Sequence, residues 1–528
     1  MSPPLPSGWG IRLDSGVRRF AEGTQMLGGS PLRLLRLKAA GAAAVAGFER
    51  GELIGGSKGR SILARRLLDA GMAHPVPDGS GAPDPATVTV IIPVCDDQAG
   101  LEATLASVAG TGDGQQPINV VVVDDGSTRP LILEDLRRFV GVDGGDGGDG
   151  GDGGDGAGPA PDTIDGPAVS PPLVSPERER DRRQALRGGW RLIRRPVPGG
   201  PGIARQVGLA GVDTELVAFV DAGVVVPPDW LAKLGAYFED PAVVAVAPRI
   251  ASRPGPSLLE RYEATQSPLD LGSEPGKVAP RHRVAYVPTA MLVARRDAVV
   301  GAGGFDPGLR FGEDVDLVWR LVQGGGTVRY APEVVVTHRP RRSWGGWWRQ
   351  RVGYGSAAAP LALRHPGQVP PVQVSAWSAA AWLAVAAGHP LVALAVAGGS
   401  GAMLPAKLGD IEEPRRRAWE LAGRGHLLAG RWLARAMLRP YWPLALVAAI
   451  LLGPRARRAV AVAAVVPALL DWRDGRSALA AVPFVAARIA DDVAYGTGVW
   501  LGSLRWRTAA ALRPDLSSWP GRKLKADR

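Results

Sequence analysis

Two runs of apolar residues, each closed by polar ones, constrain this chain more than any other feature. The first is T-V-T-V-I-I-P-V from Thr87, and the second runs from Ile118 to Val123 and ends in Asp124-Asp125-Gly126-Ser127. Neither alternates apolar with polar, as a strand with one wet face would. Both therefore predict strands covered on both faces, the habit of a parallel sheet. Between them Leu101, Leu105 and Val108 recur at helical spacing. Strand, helix and strand make one βαβ unit, and open α/β sheets bind ligands at the C-terminal ends of their strands.

The rest of the chain extends that sheet. Trp190 to Arg194 reads as a strand, followed by Gly199-Gly200-Pro201-Gly202-Ile203-Ala204-Arg205-Gln206 leading into a helix. Glycines there permit close backbone approach to an anion, and the helix start with Arg205 could hold a phosphate. E-L-V-A-F-V ends at Asp221, another acid at a strand edge, and Val243 to Ala247 is a further strand. A hairpin-like stretch, Val284 to Val293, precedes G-A-G-G-F-D at Gly301 to Asp306.

Next comes F-G-E-D-V-D-L at Phe311 to Leu317. Val315, Val318, Trp319 and Val322 predict one buried helical face, which puts Glu313 and Asp314 at the helix mouth. Helix N-termini stabilise negative charge, so both acids are expected to stay ionised near neutral pH. An ionised, positioned carboxylate can act as a general base. Taken alone, the pair reads first as an acidic helix cap; the motifs upstream favour the catalytic reading.

A chain of 528 residues is too long for one ordinary domain. Its net charge of +11 favours anionic partners: nucleotide phosphates, nucleic acid, or the anionic face of a membrane. The single cysteine, Cys95, excludes an internal disulfide. Met1 to Gly10 lacks the basic region and apolar run of a signal peptide, so the catalytic part is expected in the cytoplasm.

Residues 1–80 read as a small α/β unit: strands from Thr24 and Leu32 joined by Gly28-Gly29-Ser30-Pro31, helices at Lys38 to Phe48 and Ser61 to Ala70, and a returning strand at 71–75. This order resembles the winged-helix domains that hold precursor peptides; a DNA-binding wing or a plain packing module would read alike. The Asp-Gly-Gly repeat within 141–156 lacks the apolar residue of a calcium-binding nonapeptide. Residues 141–187 are expected to be a disordered insert that leaves the sheet intact.

In order, I-I-P-V at Ile91, V-V-D-D-G-S at Val122, A-R-Q-V-G at Ala204, D-A-G at Asp221, G-G-F-D at Gly303 and G-E-D-V-D-L at Gly312 resemble the motifs of family 2 glycosyltransferases, which have the GT-A fold. V-A-P-R-I at Val246, R-Y-E-A at Arg261, S-P-L-D-L-G at Ser267, Y-V-P-T-A at Tyr286 and Y-G-S-A-A-P-L at Tyr354 are similar to the narrower family of mycofactocin biosynthesis. The resemblance implies a GT-A domain over 86–345, behind the winged-helix-like unit of 1–80 and ahead of a helical region, 346–528.

It also implies roles. Asp125 would accept from the uracil of a UDP-sugar, with Asp124, Asp96 and the backbone of Pro93 beside it. Arg205 would meet the diphosphate. Asp221 would ligate a Mg2+ or Mn2+ that neutralises departing UDP. Asp314, next to Glu313, would deprotonate an acceptor hydroxyl of the peptide-derived cofactor mycofactocin or its precursor, with inversion at the sugar carbon. No nucleic-acid partner is implied. One departure weakens the metal site: the second acid of the family's D-x-D element is Gly223 here. His338, in V-V-T-H-R, stands where related folds sometimes supply a late metal ligand, although a histidine after a strand is often structural.

Trp347, Trp348 and Arg349 loosely resemble the acceptor-channel element of processive members; an interfacial helix is the alternative. Val374 to Val396 is long enough to span a bilayer, with Gly388-His389-Pro390 breaking it, and further apolar stretches follow at 440–453, 459–470 and 478–487. Association with the cell membrane, catalytic domain facing the cytoplasm, is the expectation; an Ala-rich soluble bundle is the alternative. A lipid or polysaccharide acceptor, or a catalytically degenerate peptide-binding scaffold permitted by Gly223, also remains open.

Overall fold

The computed structural model describes residues 5–55, 57–111, 118–132, 136, 184–185, 189–409, 411–475 and 477–517. The strands are β1 Gly10–Leu13, β2 Arg18–Phe20, β3 Gln25–Gly28, β4 Arg33–Arg36, β5 Ala73–Val76, β6 Val88–Val94, β7 Asn119–Asp125, β8 Gln184–Ala185, β9 Trp190–Arg195, β10 Leu216–Val220, β11 Val224–Val225, β12 Val243–Ser252, β13 Gly276–Val278, β14 Met291–Arg295 and β15 Thr327–His338.

Ten of these form one mixed sheet in the order β11-β15-β12-β14-β10-β6-β7-β9-β8, with β13 also on β15. At its centre β10, β6, β7 and β9 run parallel. Their apolar runs are covered on both faces, as expected. Val88, Val90 and Ile92 pack with Leu101, Leu105 and Val108 of the helix Gln98–Ala109 on one side. Ile91, Val121 and Val123 pack on the other with Leu209 of the helix Pro201–Leu209 and with Leu317, Val318 and Trp319 of the helix Glu313–Gln323. Burying each such side chain contributes about 1.5–3 kcal/mol, which fixes where the strand ends lie.

Two local expectations are corrected, and a third lies mostly outside the described residues. The stretch Val284 to Val293 is not a hairpin: only its end lies in β14, and Val284 makes an isolated bridge to Val278. Pro288, which has no N–H, cannot continue a ladder through the middle. The insert expected at 141–187 lies outside the described residues except at 184–185, where β8 pairs antiparallel with β9. In the helix Glu313–Gln323 the buried face is Leu317, Val318, Trp319 and Leu321, with Val315 and Val322 only partly covered.

At the N-terminus the expected hairpin is β3–β4, the helices are Ala39–Glu49 and Lys58–Asp69, and the returning strand is β5. Two strands are added: β1, which pairs with β5, and β2, which pairs with β3. This unit is tied to the large sheet by a buried two-pronged ion pair, Arg65 to Asp240 at 2.7 and 2.8 Å. Trp9 Nε1 also donates to Glu239 at 3.2 Å.

Beyond the sheet the chain is helical: Trp344–Ser356, Ala358–Arg364, Ala376–Ala386, Pro390–Met403, Pro405–Leu408, Pro414–Leu438, Trp442–Leu451, Gly453–Asp474 and Ala481–Arg505. The break expected at Gly388 is present, with φ at +84°. Among the described residues one helical stretch, Pro390–Leu408, is long and apolar enough to cross a membrane, and it is mostly exposed. Leu391 on this stretch and Leu383, Leu427 and Ile450 on neighbouring helices are exposed. Inside the bundle Asp471 accepts from Arg435 at 2.5 Å and from Arg488 at 3.2 Å, while Arg488 also donates to Asp492 at 2.8 Å.

Candidate active site

The C-terminal ends of β6, β7 and β10 bring Pro93, Asp124, Asp125 and Asp221 to one edge of the sheet. The two neighbouring aspartates of the D-D-G-S turn face opposite tasks. Asp124 is fully buried and accepts from the N–H groups of Ser127 at 2.9 Å and Leu131 at 3.2 Å. Both its oxygens are spent on the turn, so the structure does not bring it to the cleft as a nucleotide contact. Asp125 accepts from Gly199 N at 3.0 Å and Gly200 N at 2.7 Å and pairs with Arg195, which pins the glycine loop over the strand ends. Asp96 is exposed with φ at +52°, and its carboxylate accepts from Thr128 N at 2.7 Å and Thr128 Oγ1 at 3.1 Å.

Helix Pro201–Leu209 starts from that loop and carries Arg205 inward. Its guanidinium forks: Nη2 donates to Asp221 Oδ1 at 2.5 Å and Nη1 to Glu313 Oε1 at 3.1 Å. Gln206 beside it accepts from Phe305 N at 2.9 Å, fastening the G-G-F-D loop to the same helix. Sequence reasoning missed Gln206, though its place in the A-R-Q element was the available signal.

Glu313 and Asp314 open the helix Glu313–Gln323 behind Gly312, whose φ is +79°. A Cβ on Gly312 would lie 2.9 Å from the Ala357 Cβ and 3.0 Å from Leu361 Cδ1, so glycine is required twice over. Asp314 Oδ1 accepts from Val315 N at 2.8 Å. The expectation that both acids simply stay ionised is corrected. Burial, followed by the Asp314 charge, pushes the Glu313 carboxyl up, and burial pushes Asp314 up as well. The helix N–H and Arg205 oppose this for Asp314, but desolvation is the larger effect. The third acid of the motif serves a different end: Asp316 is fully buried and accepts from Arg320 at 2.8 Å, Arg364 at 2.7 Å and His365 Nε2 at 2.9 Å.

The corner where a metal would sit is sparse. His338 pairs with Val224 across β15 and β11, next to the D-A-G turn. Burial lowers its pKa, while the charges of Asp221 and Asp97 act against that. Gly223 has φ at +91°, and a Cβ there would lie 3.7 Å from Asp97 Oδ2. Among the described residues no group of three His, Cys, Asp or Glu closes into a metal cage.

The acceptor expectation is corrected at Trp347. That indole is 1% exposed, donates to Glu263 at 2.9 Å and stands edge-on to Tyr262 with centroids 6.1 Å apart. No ring face is left for a ligand, because the helix Trp344–Ser356 turns this side onto the core. Trp348 and Arg349 are exposed.

Residues 184–353 match the model of the family described as "Glycosyltransferase like family 2". Pre-mycofactocin glycosyltransferase of Mycobacterium tuberculosis, from strains CDC 1551/Oshkosh and ATCC 25618/H37Rv alike, is 36% identical over 97% of this chain and 98% of its own length. The chain belongs to the pre-mycofactocin glycosyltransferase family. This family 2 glycosyltransferase therefore takes part in glycosylation of pre-mycofactocin. Solved structures align more loosely. The Pyrobaculum calidifontis mannosyltransferase with GDP-Man and Mn2+ is 21% identical over 66% of this chain and 88% of its own, with a TM-score of 0.35. S. aureus TarS 1-349 is 14% identical over 80% and 92%, also with a TM-score of 0.35. The catalytic reading of the glycosyltransferase thus stands on its own residues.

Proposed function

We propose that the enzyme moves glucose from a UDP-sugar to pre-mycofactocin, building a β-linked oligosaccharide with inversion at each transfer. The observation that carries this reading is the Arg205 fork, which joins Asp221 at the strand edge to Glu313 beside Asp314. Donor phosphate chemistry and a general base then lie within one ion-paired chain. Asp125, Asp96 and Pro93 hold the uridine end of a GT-A domain over 86–345. Arg205 faces the diphosphate as a charge-assisted donor. Asp314 takes the proton from the acceptor hydroxyl, which attacks the sugar carbon opposite the departing UDP. One base and one displacement invert the anomeric centre. Asp221 and His338 would hold a Mg2+ or Mn2+, which when bound neutralises charge on the leaving group.

The units flanking this domain have supporting roles. Residues 1–80, winged-helix-like, hold the peptide-derived acceptor. Residues 346–528 associate with the cell membrane through Pro390–Leu408 and the exposed leucines around it, leaving the catalytic domain on the cytoplasmic side. The test is to incubate the purified full chain with UDP-glucose and pre-mycofactocin and to read products by mass and anomeric coupling. A β-linked hexose adduct is expected. An α-linked product would overturn inversion, and no adduct with any UDP-hexose would overturn the donor assignment.

A further inference from the structure

The chain holds seven tyrosines, and their hydroxyls divide into two groups. Four are spent on protein acceptors: Tyr237 on Glu333 at 2.5 Å, Tyr262 on Asp491 at 2.9 Å, Tyr330 on Gly272 O at 2.6 Å and Tyr441 on Leu512 O at 2.9 Å. The remaining three, Tyr286, Tyr354 and Tyr495, donate to nothing among the described residues. Tyr354 only accepts, from Gln350 Nε2 at 3.0 Å. All three side chains are only partly buried, so these donors reach open space where a ligand or water can accept from them.

These three come from distant parts of the chain to one place. Tyr354 stands edge-on to Phe311, centroids 6.2 Å apart, three residues before Asp314. Gly355 leaves no room for a side chain against the carbonyl of Tyr495, so the helices Trp344–Ser356 and Ala481–Arg505 touch by backbone there, and Tyr286 lies within electrostatic reach of both Tyr354 and Tyr495. Tyr286 follows Ala285, whose carbonyl accepts from Trp319 on the helix of Asp314 at 2.7 Å. Burial and then the Asp314 charge push the Tyr286 phenol up to about 12, and the same causes raise Tyr354. Both stay protonated donors. All three tyrosines and Asp314 keep partial exposure despite this depth, as walls of a cleft do. Arg439 lies over Tyr495 with its guanidinium 3.9 Å from the ring centroid, and it pairs at 3.6 Å with Asp492, a carboxylate shared with Arg488.

We propose that Tyr286, Tyr354 and Tyr495 form the acceptor wall facing Asp314, and that this wall takes a neutral, hydroxyl-bearing six-membered ring. Flat faces pack against the ring, and the free phenol O–H groups meet its oxygens and turn one hydroxyl toward the base. A neutral ring is favoured because both nearby cations already have carboxylates, Arg439 with Asp492 and Arg351 with Glu263 and Asp491. A phenol-type aromatic ring and a pyranose share this chemistry. The inference rests on Asp314 being the base of the proposed transfer.

The test uses the full chain and saturation-transfer NMR with three probes: 4-methylphenol, methyl β-glucoside and UDP. At least one ring probe should bind, and which one does tells an aromatic source from a sugar. Tyr354→Leu and Tyr495→Leu stay apolar but lose the ring and its hydroxyl, and should weaken that probe at least about tenfold, the scale of one lost stacking and hydrogen-bonding contact. UDP signals should persist in both. Tyr354→Phe, which keeps the face and loses the hydroxyl, should fall between. Binding of neither ring probe, or binding unchanged in both leucine variants, overturns the acceptor wall. Silence from UDP with the wild-type chain instead overturns the UDP-sugar reading, while the ring probes still judge the wall.

Discussion

Arg205 Nη1 donates to Glu313 Oε1 at 3.1 Å across a separation of 108 residues. Both side chains are buried, and the second arm of the same guanidinium holds Asp221. One cation thus offsets a carboxylate at the strand edge and another at the helix mouth.

Removing that cation should therefore do more than weaken donor binding. Arg205→Ala leaves a buried carboxylate unpaired, a change that costs about 3–5 kcal/mol when a buried ion pair loses one partner. A lowered thermal midpoint together with near-complete loss of transfer is expected. Arg205→Lys should recover stability better than activity, because an ammonium cannot make the planar fork. Equal recovery of both would show that only charge is needed there.

Asp314→Asn should keep the fold and UDP binding while lowering turnover at least about a hundredfold, the scale of a lost general base. Turnover near wild type in that variant would sink the assignment.

The raised carboxyls set the pH dependence. A base must be deprotonated, so kcat/KM should fall as pH drops through the Asp314–Glu313 pair. Burial places that limb above the ordinary carboxylate range. A titration with the limb near about 4, the unperturbed value, would contradict it. Stability runs the other way. Groups with raised pKa bind more protons in the folded state, so their contribution is complete below the ordinary range and is lost as pH rises through the folded values.

Much of this was legible in the chain. The strands β6 and β7 and the order of the acidic motifs follow from apolar runs that only a doubly covered sheet can hold. Asp124 was not separable from Asp125, because which of two adjacent acids turns inward depends on backbone N–H groups of Ser127 and Leu131. Trp347 misled for a similar reason: aromatic residues beside arginine fit a ligand channel and a packed core equally well. The tyrosine cluster is assembled by contacts between distant helices, and its one local signal was the small-residue spacing Gly496, Gly498 and Gly502. There, added side chains would strike the backbones of Arg439, Val352 and Ser356.

Trp347→Ala should act on stability rather than on acceptor recognition. Truncating a fully buried tryptophan costs about 3–5 kcal/mol, and the Glu263 carboxylate loses a donor as well. Loss of folded protein is expected, whereas Trp348→Ala, at an exposed position, should leave the yield of folded protein close to wild type. A stable Trp347→Ala protein with a raised acceptor KM would restore the channel reading.

The missing second acid gives the last prediction. Gly223 has φ at +91°, a conformation L side chains rarely adopt, so Gly223→Asp should strain the turn by about 1–3 kcal/mol even though its Cβ has room. Restoring the family's acid is therefore expected to lower stability without tightening metal dependence in proportion. Asp97 is the better-placed carboxylate, since its Oδ2 lies 3.7 Å from where that Cβ would be and its charge reaches His338. Asp97 also caps the helix Gln98–Ala109 by accepting from Gly100 N at 2.9 Å. Asp97→Asn can keep that acceptor while removing the charge. Half-saturation by Mn2+, followed by calorimetry in the presence of UDP, should move to higher concentration in Asp97→Asn and in Asp221→Asn. If neither substitution shifts it, the ion is not held at this corner, and the Arg205 fork must meet the leaving-group charge alone.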